Sequence, residues 1–282
     1  MILFFEQGRV GNQLFQYKGL RHYFPANKII WFGSLALASY FEGINILHFP
    51  FSGFLGKPTL ILIKKLALFL AKSRILGLIT EKLDSKSYKP LVKRGLLWFV
   101  FVTENLWFQH SDFIVTIDNP PTVKSILIEK AKTWIENVDM ASNLNNLVFV
   151  HVRRGDYLYW PSRQFPAVLS LNWYQEAIEL MRKRLKSPKF LLMGDDLYYL
   201  KDVFDGYKDV IISPNDPSLD FTLMTMCHSG IMSASSFAWW GSYIAYCSRK
   251  GQGNWIAPKY WGGHRRSHWF PLYFKSDWIE YI

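Results

Sequence analysis

A chain of 282 residues, half of them hydrophobic and 17% aromatic, holds core material for one large domain or two modest ones, which excludes a disordered or fibrous chain. The 33 Lys and Arg against 22 Asp and Glu leave a formal charge of +11, so an acidic partner is expected: nucleic acid, anionic lipid or a phosphorylated ligand. Cys227 and Cys247 match no zinc spacing and set neither a disulfide framework nor a metal site, which makes a reducing compartment the default.

In chain order, "MILFFE" is apolar and bounded by Gly8, and reads as a buried strand. Gly8 and Gly11 make a turn, and "NQLFQYKGLRHYF" carries apolar residues at helical spacing. Strand, glycine turn and helix open a doubly wound α/β domain. "GRVGNQ" lacks the third glycine of the dinucleotide fingerprint. The start has no basic stretch before its four-residue apolar run, and the chain has no N-x-[ST] sequon. No signal peptide and a cytoplasmic location are therefore expected. Residues 28–50 read as a short strand with irregular connections.

Residues 57–79, "KPTLILIKKLALFLAKSRILGLI", differ in kind. No acidic residue lies between Glu42 and Glu81, whereas Lys57, Lys64, Lys65, Lys72 and Arg74 do. Lys64, Lys65 and Lys72 fall near one another on a helical wheel, with leucines and Phe69 opposite. The segment reads either as a basic helix lying peripherally on an anionic membrane surface or as a surface helix whose leucines face the protein. Residues 95–108 read as a strand or strand pair. Residues 1–110 hold 14 basic and 5 acidic side chains, or +9, leaving 19 against 17, or +2, for the rest.

Residues 120–143 give a proline start, a helix and an Asn-rich polar break. The break sets the expected boundary between domains 1–143 and 144–282, with the last segment either staying in the second domain or packing back on the first. Beyond it strands and helices alternate: strand 147–152, helix 172–186, strand 189–193, helix 196–204, strand 209–212, helix 218–227, strand 230–233 and helix 236–248. Such sheets bind ligands at the carboxyl ends of their strands. His151 to Asp156, Gly194 to Asp196 and Ser233 to Ser236 all follow strands, so they are expected along one edge of one cleft.

"LVFVHVRRGDYL" (147–158) places Arg153 and Arg154 between His151 and Asp156. An arginine fork matches two phosphate oxygens and keeps its charge, so a pair at a strand end suits a diphosphate, above all a departing one. The plainer reading is an Arg–Asp surface pair. Ser235 and Ser236 stand between a strand and a helix, where hydroxyls and unpaired amides make an anion site. Trp239 and Trp240 would pack that helix down. Asp220 opens the preceding helix, either as a cap or as an acceptor for guanine N1–H and its amine. The "GDD" at 194–196 reads as a helix cap rather than a metal-binding pair.

Together "GRVGNQLFQY" (8–17), "HVRRGDY" (151–157), "DFTLMTMCHSGIMSASSFAWWGSY" (220–243) and "IAPKYW" (256–261) resemble the alpha-1,2-fucosyltransferase family, in style its bacterial members that lack a membrane anchor. The resemblance implies two Rossmann-like doubly wound domains facing a cleft (GT-B type), GDP-fucose as donor, no metal or other cofactor, inversion at the fucose anomeric carbon, and a glycan acceptor ending in galactose. By the same resemblance Arg153 contacts the β-phosphate, with Arg154 supporting it or holding the loop. His151 and Asp220 meet guanine, and Ser235 and Ser236 meet the phosphates. Asn12, with Gly11 allowing close backbone approach, lies near the fucose and the acceptor hydroxyl. Ala234 and Ala238 replace an asparagine and a serine common in the family, which removes two polar contacts. For the general base the sequence offers Asp156, which would otherwise orient an arginine, Glu6, or the leaving diphosphate itself. Two alternatives stand beside this reading: a fucosyltransferase of alpha-1,6 or O-fucosyl type, and a basic nucleic-acid or membrane-surface binder. The second leaves the strand-end cluster unexplained, so no nucleic-acid partner is expected.

Overall fold

Leu147–Val152 is buried at every residue, which marks a central strand of a parallel sheet covered on both faces. The computed structural model describes residues 1–51, 56–82, 88–117, 119–138, 146–262 and 274–282. The chain divides into two units, Met1–Asp118 and Asn119–Ile282. The boundary expected at 143/144 lies outside the described residues. Each unit is an α/β domain built on a mostly parallel sheet, the doubly wound architecture expected of a GT-B fold.

In the first unit β1 (Ile2–Phe5), α1 (Val10–Tyr23), β2 (Ile29–Phe32), α2 (Leu37–Tyr40) and β3 (Leu47–Phe49) are followed by α3 (Gly56–Lys72), β4 (Leu76–Thr80), β5 (Leu91–Lys93), β6 (Leu97–Thr103) and α4 (Ser111–Ile114). The strand order is β3-β2-β1-β6-β4-β5, parallel except for the β4–β5 pair. The helix expected over 57–79 stops at Lys72, and 76–80 is a strand. A Schellman turn ends it: Arg74 adopts φ 60°, Ile75 N–H donates to Leu70 O at 2.9 Å, and Arg74 N–H donates to Ala71 O at 3.1 Å. Composition alone does not reveal this end, because arginine takes the left-handed position that glycine normally fills.

The second unit holds α5 (Ser125–Asn137), β7 (Leu147–Val152), α6 (Leu171–Arg184), β8 (Lys189–Gly194), α7 (Leu197–Phe204), β9 (Val210–Ile212), α8 (Pro217–Met226), β10 (Ser229–Ile231), α9 (Ser236–Ser248), β11 (Trp255–Ala257) and β12 (Glu280–Tyr281). Its sheet runs β12-β11-β10-β7-β8-β9, with each neighbouring pair parallel. The order reverses between β7 and β10, which makes the gap beyond their carboxyl ends the natural ligand crevice. Val148, Val150 and Val152 pack in one cluster with Trp173, Ala177, Ile178 and Met181 of α6. Gly230 in β10 leaves room for the Phe149 ring, which a Cβ would approach to 2.3 Å. Trp239 and Trp240 are fully buried and lock α9 down, with Trp239 Nε1 donating to Ser276 Oγ at 3.0 Å. Burying each such ring is worth about 1.5–3 kcal/mol. The helices start where caps hold them: Ser170 accepts from Trp173 N–H, and Asp216 accepts from Ser218 and Leu219 N–H ahead of Pro217.

Candidate active site

The residues that follow β7 meet those that follow β8 and β10. His151 is buried in β7, and its Nδ1 lies 2.6 Å from Ser233 Oγ, just past β10. Burial, with the Arg153 charge second, pushes the imidazole down to about 3, so the ring is neutral at pH 7. Two residues on, the Arg153 guanidinium is held from two sides. Nη1 pairs with Asp195 Oδ2 at 2.7 Å, and Nη2 pairs with Asp156 in the turn Gly155–Leu158. Its cation also lies 5.5 Å from the Tyr157 ring centroid, whose hydroxyl donates to Ala234 O at 2.5 Å. Gly155 packs closely here, where a Cβ would come within 2.5 Å of Asp195 Oδ2 and displace that carboxylate.

Arg154 turns the other way. Its Nε donates to Asp196 Oδ2 at 3.1 Å, its guanidinium stacks 3.6 Å from the Tyr199 ring centroid, and its backbone N–H donates to Asp195 Oδ1 at 2.8 Å. Asp196 caps α7 through Tyr199 N–H at 3.1 Å, as expected of the "GDD" run. That bond first, and Arg154 after it, holds its carboxyl below the usual range. The two arginines are therefore unequal: Arg153 bridges Asp195 and Asp156 beyond β7, while Arg154 pins the loop to α7. Asp195 is the shared anchor.

On the next strands, Ser213 Oγ–H donates to Asp220 Oδ1 at 2.5 Å. Asp220 is buried in the first turn of α8, and desolvation raises its carboxyl to about 7, with the Asp216 charge adding to the shift. Helix capping there is done by Asp216, which leaves Asp220 available for a ligand with donor groups. Ser235 is the buried N-cap residue of α9 and makes no side-chain cap bond, and Ser236 is the helix's first residue. The first turn of α9, with the positive end of its dipole, thus lies beside Ser233 and His151. Phe237 in that turn lies 5.9 Å from the His151 ring and 5.1 Å from the Phe221 ring, joining the three elements.

Gly11 and Asn12 belong to the other unit, at the carboxyl edge of its own sheet. Gly11 is buried in the first turn of α1, and Asn12 Oδ1 accepts from Gln109 Nε2 at 2.8 Å. Gly8, at φ 74°, brings its backbone against Asn12, where a Cβ would meet Nδ2 at 2.4 Å. Gln109 sits in a loop held by the half-buried Glu81 carboxylate, which accepts from Trp107 N–H at 2.6 Å, Phe108 N–H at 3.0 Å and the Tyr88 hydroxyl. Glu6 directly follows β1, and burial raises its carboxyl despite the Ser34 amide, His48 and Lys57.

The profile of Glycosyl transferase family 11 matches residues 77–281. The chain belongs to glycosyl transferase family 11. It is similar to the bovine galactoside 2-alpha-L-fucosyltransferase SEC1, at 28% identity over 44% of this chain and 36% of that protein. It is also similar to mouse galactoside alpha-(1,2)-fucosyltransferase 1, at 34% over 36% of this chain and 28% of that one. The matched stretch thus spans about a third of these curated relatives. The fold resembles that of the fucosyltransferase NodZ from Bradyrhizobium, with a TM-score of 0.51 at 14% identity over 86% of this chain and 92% of that one.

The family 11 match contains His151, Arg153, Arg154, Asp156, Asp220, Ser235 and Ser236 but not Gly11 and Asn12. Sequence reasoning missed Asp195 as the Arg153 anchor, Ser213 and Ser233 as partners of Asp220 and His151, and Gln109 as the partner of Asn12. A small hydroxyl residue at a strand's carboxyl end was the available signal for the two serines. Nothing local marks Gln109, because its partner lies 97 residues away.

Proposed function

We propose that this family 11 chain moves L-fucose from GDP-fucose to the 2-hydroxyl of a terminal galactose-type sugar, with inversion and without a metal. One observation supports this reading above the others. Arg153, fixed by Asp195 and Asp156, follows β7, whose neighbour β10 leads into the first turn of α9. As the bond from the fucose anomeric carbon to the β-phosphate oxygen breaks, negative charge grows on the diphosphate. Preset cationic and N–H donors stabilise that charge most when it is fullest, which lowers the barrier rather than tightening substrate binding. Arg153 and the α9 amides, with Ser235 and Ser236, would take the diphosphate. Asp220 would accept guanine N–H donors, with neutral His151 beside it. Asp156, already paired with Arg153, orients the fork. Gly11 and Asn12 are assigned to the fucose and acceptor side.

The acceptor in this reading is a galactose-ended glycan or a lipid-linked surface polysaccharide, built on the inner face of the cytoplasmic membrane. The names of the curated relatives support the alpha-1,2 linkage. Calorimetric titration with GDP and with UDP, each with and without EDTA, tests the donor assignment. Binding of GDP alone, unchanged by EDTA, followed by fucose transfer to a β-galactoside, is the expected result. Equal binding of UDP, or a metal requirement, would remove the assignment.

A further inference from the structure

The apolar content of α3 exceeds what its packing uses. Its inner face is set by the small Ala67 and Ala71, which join Phe5, Leu76, Leu78, Val100 and Val102 in one core cluster flanked by Leu60, Ile63, Leu68 and Leu70. On the outer face Ile61, Leu62, Leu66 and Phe69 are 54%, 67%, 57% and 65% exposed. A surface helix with its leucines turned inward does not look like this, since a helix apolar all round expects cover on both sides. Yet no helix among the described residues is long and apolar enough to cross a membrane, and α3 carries Lys57, Lys64, Lys65 and Lys72 along its length.

A second exposed apolar stretch is tied to the end of the helix. At the turn that ends α3, Arg74 O accepts from Leu96 N–H at 2.7 Å and Ile75 O accepts from Leu97 N–H at 2.8 Å. These bonds fasten the segment before β6 to the end of the helix. In that segment Leu96 is 80% exposed. In the first residues of β6 Trp98 is 71% exposed and Phe99 is exposed too, and Lys93 and Arg94 before them are exposed as well. Both turns precede parallel strands, so this apolar ground borders the amino edge of the sheet. Asn12 and Gln109 lie at the carboxyl edge of the same sheet.

Charge selects the occupant. From residue 43 to residue 103 the sequence has ten Lys and Arg and only two acidic residues. One of the two, Glu81, is half-buried and taken up by three hydrogen bonds. Lys72 leans toward Glu104 at 3.1 Å, and both remain partly open to solvent. Basic side chains flanking exposed leucines and a tryptophan match the two layers of a bilayer surface: acyl chains take the apolar groups, anionic headgroups the cations, and indole the boundary between them.

We propose that the outer face of α3, together with Arg74–Ile75 and residues 93–99, docks on the surface of an anionic lipid bilayer without spanning it. Docking leaves the carboxyl edge of the sheet open, and it is independent of the reaction proposed above.

The test is co-sedimentation of the full chain with vesicles of phosphatidylcholine alone and of phosphatidylcholine with phosphatidylglycerol in equal parts. Binding to the second and little to the first is expected, weakening as salt is added. Two variants separate the contributions: Leu62→Ser with Phe69→Ser and Trp98→Ser, and Lys64→Gln with Lys65→Gln and Lys72→Gln. The triple lysine variant should lose about fivefold in affinity for each charge removed, and the apolar variant should lose binding at every lipid composition. GDP titration of both variants should match the parent, which keeps a failure of docking distinct from a failure of the nucleotide reading. Absence of sedimentation with the anionic vesicles, or equal sedimentation by the variants, would overturn the proposal. So would a parent that sediments as a dimer in ultracentrifugation and a Phe69/Trp98 variant that is monomeric, since a second copy would then cover the face.

Discussion

The imidazole of His151 and the hydroxyl of Ser233 meet at 2.6 Å although 82 residues separate them. They close the point where β7 and β10 diverge. The bond fixes a neutral, buried ring at the start of the loop that carries Arg153, so the ring's titration and the arginine's placement are coupled.

Ser233→Ala removes one side of that bond and leaves a buried ring nitrogen without its partner. A loss of about 1–3 kcal/mol in unfolding free energy is expected, read by urea denaturation at pH 7. An unchanged midpoint would show that solvent already serves that nitrogen.

Acid stability should carry the same signature. The folded-state imidazole titrates near 3, below its ordinary value of 6.5, so the unfolded chain binds the proton first. His151 therefore costs stability as pH falls below about 6.5, at up to ~1.4 kcal/mol per pH unit. Asp220, raised to about 7, has the opposite sign. The folded state holds its proton longer, so the contribution is full below the ordinary carboxylate range and is lost as pH rises through about 7. The two slopes offset each other between about pH 4 and 6.5. His151→Asn should expose the Asp220 slope, with stability falling as pH rises. Urea melts at pH 5 and 7 on parent and variant check this.

Asp220 also makes a binding prediction. Guanine N–H donors favour the ionised carboxylate, so GDP binding below pH 7 should release a proton and tighten as pH rises, then level off. Asp220→Asn should weaken GDP by roughly 1–3 kcal/mol at pH 8 and retain only the slope of the phosphate's own ionisation near pH 6. Calorimetry in two buffers of different ionisation enthalpy measures the proton. A parent and variant with the same proton count would take Asp220 out of the nucleotide site.

For Arg153 the expected effect is on turnover. Arg153→Lys keeps the charge but cannot span Asp195 and Asp156 while facing a diphosphate, because an ammonium has no planar fork. A fall of about 10²–10³ in kcat is expected, with a melting temperature close to the parent's. Retention of most of the activity would argue against the phosphate role. Arg154→Lys should act mainly on stability, through the lost stacking on Tyr199.

In the first unit, Glu81→Ala should destabilise by about 2–4 kcal/mol, since two backbone amides and the Tyr88 hydroxyl lose one acceptor together. Thermal melts followed by circular dichroism give the measure. A shift within the range of ordinary surface substitutions would mean that the loop carrying Gln109 is held by its aromatic packing instead.

The sequence by itself determined α5 to α9 and β7 to β10 of the second unit, but not β11 or β12. Its strands are short apolar runs, its helices start at Ser170, Asp196 and Asp216, and those signals are local: a cap acts over three residues and a buried strand shows in its own composition. It also placed His151, Arg153 and the Ser235–Ser236 pair at strand ends, because in a parallel sheet every strand points its carboxyl end to the same edge. Tertiary structure alone decided which partners those residues take. Asp195 rather than solvent faces Arg153, Ser213 rather than a helix end faces Asp220, and Arg154 folds away onto Tyr199. It also decided the fate of α3. Periodicity marks apolar positions but not how many of them the sheet can cover, and here the small Ala67 and Ala71 let the helix sit close while larger neighbours point outward. Strand order, set by long-range pairing between segments that share no local signal, brought β7 beside β10 and so made one site of two distant motifs.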